Sequence, residues 1–237
     1  MGQAQNFNDL LNTVFGKNNT TNRNSTKQSG SGLGAGLSEL DISNGLREAL
    51  TLGANNASKK LSIQDGFFKN AAIKILMPPE ARKVEQTLRQ VGLGSLADQA
   101  ILYMNRAAED AASKAAPIFI NAITKITLND ALGILRGGNN AATNYLKSRT
   151  QQELMSAFSP VIKQSLDKVG AQKAWEQAFN AYNQLPMVSK VNTDLTQYVT
   201  QKATDGMFLT IAEEEMKIRQ NPMGQASDLL RRVFGSK

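Results

Sequence analysis

The sequence predicts an all-α protein: a single compact multi-helix domain over residues 38–237, behind a flexible N-terminal arm over residues 1–37. Three observations carry that expectation. Apolar residues recur at helical spacing once the arm ends, as in Ile42, Leu46, Ala49, Leu50, Ala57 and Leu61. Cap and stop residues interrupt the pattern at intervals of about one helix. Alternation suited to a strand is confined to Ile73-Lys74-Ile75-Leu76, too short to make a sheet alone. Helices of average length would number about nine to eleven. Composition does not change after residue 38, so one domain is expected.

At the front, Asp9-Leu10-Leu11-Asn12-Thr13-Val14-Phe15-Gly16 reads as two helical turns, and it reappears at the back as Asp228-Leu229-Leu230-Arg231-Arg232-Val233-Phe234-Gly235. Two turns are not stable alone in water, because nucleation costs more than so few hydrogen bonds return. Leu10, Leu11, Val14 and Phe15, like Leu229, Leu230, Val233 and Phe234, are therefore candidate docking residues for a groove on this chain, on a neighbouring molecule or on a membrane. Residues 17–37 are rich in Asn, Thr, Ser and Gly, with little to bury, which is the composition of a flexible tether.

Within the body, Pro78-Pro79 should open a helix lined by Ala81, Val84, Leu88 and Val91 and ended by Gly92. Capping boxes are expected at Ser95 with Asp98, Thr127 with Asp130, and Thr150 with Glu153. Gly137-Gly138 and Gly170 are stops, and Asn221-Pro222 closes a long helix. Asp65-Gly66-Phe67-Phe68 and Asp205-Gly206-Met207-Phe208 echo each other, which an Asp cap beside a flexible Gly explains.

Composition narrows the chemistry. The chain has no cysteine and no histidine. Thiolate nucleophiles, zinc-thiolate sites, Ser-His-Asp and Cys-His arrangements and histidine-based metal sites are excluded. Carboxylate, lysine, tyrosine and hydroxyl chemistry remain. The net charge of +7 is spread over scattered pairs such as Lys59-Lys60, Arg82-Lys83 and Arg231-Arg232, with no basic block among aromatics, so nucleic acid is not expected as a partner. No stretch reaches the ~20 apolar residues of a transmembrane helix. No signal-peptide pattern is present in the opening residues.

Several motifs together resemble a known family. They are Asp65-Gly66-Phe67, Ile73-Lys74-Ile75, Met104-Asn105-Arg106-Ala107-Ala108-Glu109, Asp130-Ala131, Ala141-Ala142-Thr143, Asp205-Gly206 and Ile218-Arg219-Gln220-Asn221-Pro222, ending on Leu229-Leu230 before Val233-Phe234-Gly235. In combination, from about residue 37 to the end, they resemble the bacterial family known as domain of unknown function 4197. The resemblance implies a helical protein of the periplasm or cell envelope, usually made with a signal sequence. It brings no catalytic residue and no cofactor.

Five polar residues are candidates for a shared network or ligand site. Asn105 lies in line with Ile101, Ala108 and Ala112, so its amide must find a partner inside. Arg106 has Glu109 three positions on. Glu214 falls on the line of Met207, Ile211 and Ile218, and Asp205 on that of Tyr198, Phe208 and Ala212. An inward Glu214 needs a cation, Arg106 or Lys74, or carries a raised pKa. Glu213 and Glu215, each four residues before a cation, are expected in solvent. Trp175, Phe179 and Tyr182 are read as core. Asp130, Asp205 and Glu214 match no metal-loop spacing, so no metal is expected. The functional expectation is a non-enzymatic binding or structural protein for a protein partner, itself or an apolar small molecule. The alternative is a hydrolase-like enzyme using Glu214 and Asp205 as acid and base. Limited proteolysis should cut first within residues 17–37 and leave a body from about Ser38 with unchanged melting; a cut first appearing elsewhere counts against the tether.

Overall fold

The computed structural model describes residues 39–184 and 194–221; the two Asp-Leu-Leu segments expected to dock, and the tether expected over residues 17–37, lie outside them. The described residues form eight α-helices and no strand. They are α1 Glu39–Ser62, α2 Arg82–Gln90, α3 Gly94–Ala112, α4 Ala115–Thr124, α5 Leu128–Arg136, α6 Ala141–Lys168, α7 Ala171–Asn183 and α8 Leu195–Gln220, with a 3-10 turn at Pro79–Ala81 leading into α2.

The long helices α6 and α8 pack along each other, α3 lies against α6, and α1 against α8 and α4. In α6 the buried residues Leu146, Thr150, Leu154, Phe158, Ile162 and Leu166 recur every four positions, one continuous ridge facing the core. In α3 the buried face is mostly alanine: Ala97, Ala107, Ala108, Ala111 and Ala112. Small side chains let neighbouring helices come close, and the Ser58 hydroxyl of α1 donates to the Ala112 carbonyl at 2.8 Å. Among the described residues no single helix is long and apolar enough to cross a membrane. The apolar pair α4 and α5 is bent by 109° between them.

Most of the expected punctuation is present. Gly92 and Gly170 take positive φ, +81° and +71°, where a helix ends. Thr127 and Asp130 form the full capping box at the start of α5, and α8 ends at Asn221. Two expected boxes do not form. α3 starts at Gly94 behind Leu93, and Asp98 turns to Arg89 at 2.7 Å. Thr150 sits buried in the middle of α6, donating to the Leu146 carbonyl, because the ridge continues across it. A hydroxyl with a carboxylate three positions on caps a helix only where the apolar stripe also begins.

Between α1 and the 3-10 turn, residues 63–78 are not helical. Asp65 takes φ +70°, and Gly66 passes so close to α1 that a Cβ there would lie 2.6 Å from the Lys60 carbonyl oxygen. This approach delivers Phe67, fully buried, onto Gly206 in the middle of α8. The two Asp-Gly echoes thus have different causes. Gly206 caps nothing; its missing Cβ is the space the Phe67 ring fills.

A Cβ on Gly206 would stand 2.7 Å from the Phe67 ring and 3.3 Å from Ile73. Gly206→Ala should therefore destabilise by about 1–3 kcal/mol, although helix propensity alone favours alanine by roughly 1 kcal/mol. Gly133, inside α5 with nothing within 4 Å of its Cβ position, should show that favourable sign when changed to alanine. Urea melts of both variants check this; a Gly206→Ala protein as stable as the parent contradicts the contact.

Candidate functional site

Residues 65–78 pack against α3 and α8 and bury Phe67, Ile73, Ile75, Met77 and Pro78, and buried chain outside a helix needs partners for its backbone groups. Side chains of α3 supply them. The Glu109 carboxylate accepts from the Phe67 and Phe68 amides, each at 3.1 Å. The Asn105 carboxamide accepts from the Ile75 N–H at 2.9 Å and donates to the Ile75 carbonyl at 2.8 Å. Its NH2 also reaches the Ile101 carbonyl at 2.7 Å. One amide taking both groups of one residue requires them on the same side of the chain, which is the extended conformation. Asn105 thus stands where a neighbouring strand would. This explains how Ile73-Lys74-Ile75-Leu76 keeps its alternation without a sheet: Ile73, Ile75 and Met77 point in, and Leu76 out.

Arg106 joins the cluster from the outside, donating to Glu109 at 2.6 Å and to Asp65 at 2.7 Å. Hydrogen bonds from Lys69 and then Arg106 hold the Asp65 carboxyl below its usual range. Lys74 Nζ lies 4.2 Å from the Phe68 ring centre.

The outer edge of this segment forms one wall of a groove of about 740 Å³; α8 forms the other. Its apolar surface comes from Ile73, Ile75, Met77, Trp175 and Leu195, all buried, with Leu76 and Leu209 exposed at the rim. Its charged groups are Lys74, Glu80, Arg82, Asp194, Lys202 and Asp205. Tyr198 spans the groove and donates to the Leu76 carbonyl at 3.0 Å. Burial raises its pKa, which keeps the phenol protonated as that donor.

The five candidate polar residues fall into three places. Asn105, Arg106 and Glu109 share one cluster, whose partners are residues 65–75 and not α8. Glu214 is buried as expected, but its cation is Lys217 at 2.6 Å, neither Arg106 nor Lys74, and Asn56 of α1 donates to it at 3.5 Å. Asp205 is corrected from inward to exposed: it lies on the groove rim and accepts from Gln201 at 3.0 Å. The full helix pattern explains this, since its neighbours Ala203, Thr204, Gly206 and Met207 take the buried arc. Asp130, capping α5, shares no partner with Asp205 or Glu214 among the described residues. Trp175 is buried as read; the side chains of Phe179 and Tyr182 lie outside the described residues.

Of the pairs expected along Glu213-Glu214-Glu215, Glu215 with Arg219 forms, while Glu213 with Lys217 does not and the solvent position of Glu215 is corrected. Glu213 pairs with Lys60 of α1 at 3.0 Å. Glu215, expected in solvent, is only 5 % exposed. It accepts from the Ala142 and Thr143 amides at 3.0 and 2.8 Å and from the Thr143 hydroxyl at 2.7 Å. It thereby caps the N-terminus of α6, where Asn140 makes no side-chain cap. Its partner Arg219, at 2.8 Å, donates to the Ile134 carbonyl near the end of α5 at 3.0 Å. The signal available in sequence was Ala142-Thr143 opening a long helix with no acidic residue in its first turn.

The family profile described as Protein of unknown function (DUF4197) matches residues 36–235, and the chain belongs to that family. No curated protein and no solved structure matches it.

Replacing Asn105 by leucine keeps the volume but strips both Ile75 groups of their partner. Each buried orphan costs about 1–3 kcal/mol, so Asn105→Leu should destabilise by roughly 3 kcal/mol or more. Arg106→Leu, which leaves Glu109 on its two amides, should cost less. Equal stability of Asn105→Leu and the parent in denaturant melts counts against Asn105 as the strand substitute.

Proposed function

We propose that this member of the family is a non-enzymatic binding protein of the bacterial periplasm or cell envelope, which seats an apolar ligand or an apolar part of a protein partner in the groove beside residues 72–80. The groove itself carries the reading. It combines a buried apolar floor with a few convergent polar groups, the usual make-up of a binding site. Its surroundings are held rigidly, by Asn105 behind Ile75, Tyr198 on Leu76 and Phe67 on Gly206. The envelope location rests on the family resemblance.

The hydrolase-like reading gains no comparable support. An acid-base pair needs two carboxylates free to exchange protons at one cleft. Glu214 is bound to Lys217 and Asn56, and Asp205 is exposed and bonded to Gln201.

Trp175 is the single tryptophan of the chain and lines the groove, so it reports on occupancy. Titration with 1-anilinonaphthalene-8-sulfonate should quench Trp175 emission by energy transfer, saturating at one site. Leu209→Glu, which puts a charge on the rim, should weaken that binding roughly tenfold, about 1.4 kcal/mol. Transfer that never saturates, or that Leu209→Glu leaves unchanged, argues against an apolar site here.

A further inference from the structure

The hydrogen-bonding groups along residues 74–76 specify more than an apolar site. In an extended chain, successive residues present their N–H and C=O groups to opposite edges. Ile75 turns its pair inward to Asn105. Lys74 and Leu76 therefore face the other edge, along the groove. On that edge the Lys74 N–H is taken by the Asn70 carbonyl and the Leu76 carbonyl by the Tyr198 hydroxyl. The Lys74 carbonyl and the Leu76 N–H have no partner among the described residues.

Those two groups flank Ile75. In a parallel pair of strands, a single residue donates to the carbonyl before its opposite number and accepts from the N–H after it. The free pair matches that pattern. An antiparallel partner would instead need both groups of Leu76, and Tyr198 already engages its carbonyl. Beyond Leu76 the pairing cannot extend, because Pro78 and Pro79 carry no N–H.

We propose that the groove binds an extended peptide segment of a partner protein, running parallel to residues 74–76 and bridged through one residue to the Lys74 carbonyl and the Leu76 N–H. The proposal rests on the groove reading above and names the partner class. Side chains flanking the bridged residue reach the apolar floor. The downstream end of a parallel peptide arrives at Tyr198. Lys202 lies 5.9 Å from that ring, and Arg82 and Glu80 both act on its hydroxyl electrostatically. Neither cation has an ion-pair partner among the described residues.

The test selects binders to the full chain from a displayed library of random heptapeptides and measures them against two variants. Leu76→Pro removes the N–H, and its site is extended and its side chain exposed, so folding should be retained. Leu76→Ala keeps the N–H. The selected peptides should bind Leu76→Pro at least about tenfold more weakly and Leu76→Ala within about threefold of the parent. If Leu76→Pro does not fold, amide exchange in the unaltered protein decides: bound peptide should slow exchange of the Leu76 N–H at least tenfold. Failure to select any peptide, equal binding to Leu76→Pro, or unprotected Leu76 exchange overturns the strand-addition proposal. Such a result beside saturable, Leu209-sensitive probe binding leaves the apolar site standing, so the two readings fail separately.

Discussion

Buried main chain that is not helical is the constraint on which this fold depends. A helix satisfies its own amides and carbonyls, so helices pack with little demand on their side chains. Residues 65–78 do this only in part, through turn bonds such as Asn70 N–H to the Phe67 carbonyl, and where they carry Phe67, Ile73, Ile75 and Met77 inward there is no strand among the described residues to pair with them. The neighbouring helix solves the problem with two side chains one turn apart, Asn105 and Glu109, one serving residue 75 and the other residues 67 and 68. Their spacing of four places both on one face of α3. A single helical face thus reads and holds an extended chain. Phe67 then locks the start of the segment onto α8, at the one position where α8 has no side chain.

The same logic governs the buried charges. Glu109 and Glu215 are both nearly fully buried, and each accepts from two backbone amides and an arginine. Each carboxylate thereby satisfies buried amides that would otherwise be left without a partner. Glu215 and Arg219 together serve the facing ends of α6 and α5, an acid at the amide end and a base at the carbonyl end, as the helix dipoles require. Carboxylates committed in this way organise the structure.

How far the sequence disclosed this differs from residue to residue. The helices were legible because their apolar stripes are long, and the stops were legible because Gly92 and Gly170 occupy a conformation that favours glycine. Asn105 was legible as an inward amide, since an apolar stripe admits few polar residues. Its partner was not, because periodicity along one helix carries no information about what crosses it. Asp205 and Glu215 were misjudged for related reasons. A line drawn through three apolar residues on α8 passed Asp205, while the wider buried arc missed it. Glu215 has a cation four residues on, the mark of a solvated pair, and that local pairing is real. Burial came from α6, whose uncapped amides are 72 and 73 residues distant in sequence. Local rules describe what a residue can do with its own helix and are silent on longer-range demands.

The division of labour along residues 74–76 bears on how the proposed peptide would be recognised. Ordering a loop on binding normally consumes much of the interaction energy. Here Ile75 is already held extended from behind, and Leu76 is tied to Tyr198, so the edge exists before anything meets it. In that proposal one bridge is on offer, so main-chain recognition would be weak and discrimination would fall to the apolar floor. A second strand in place of Asn105 would satisfy Ile75 equally well, but it would extend the sheet past the prolines and need an edge of its own. A side chain ends where its amide ends. That confines the extended structure to three residues and gives it a single open edge.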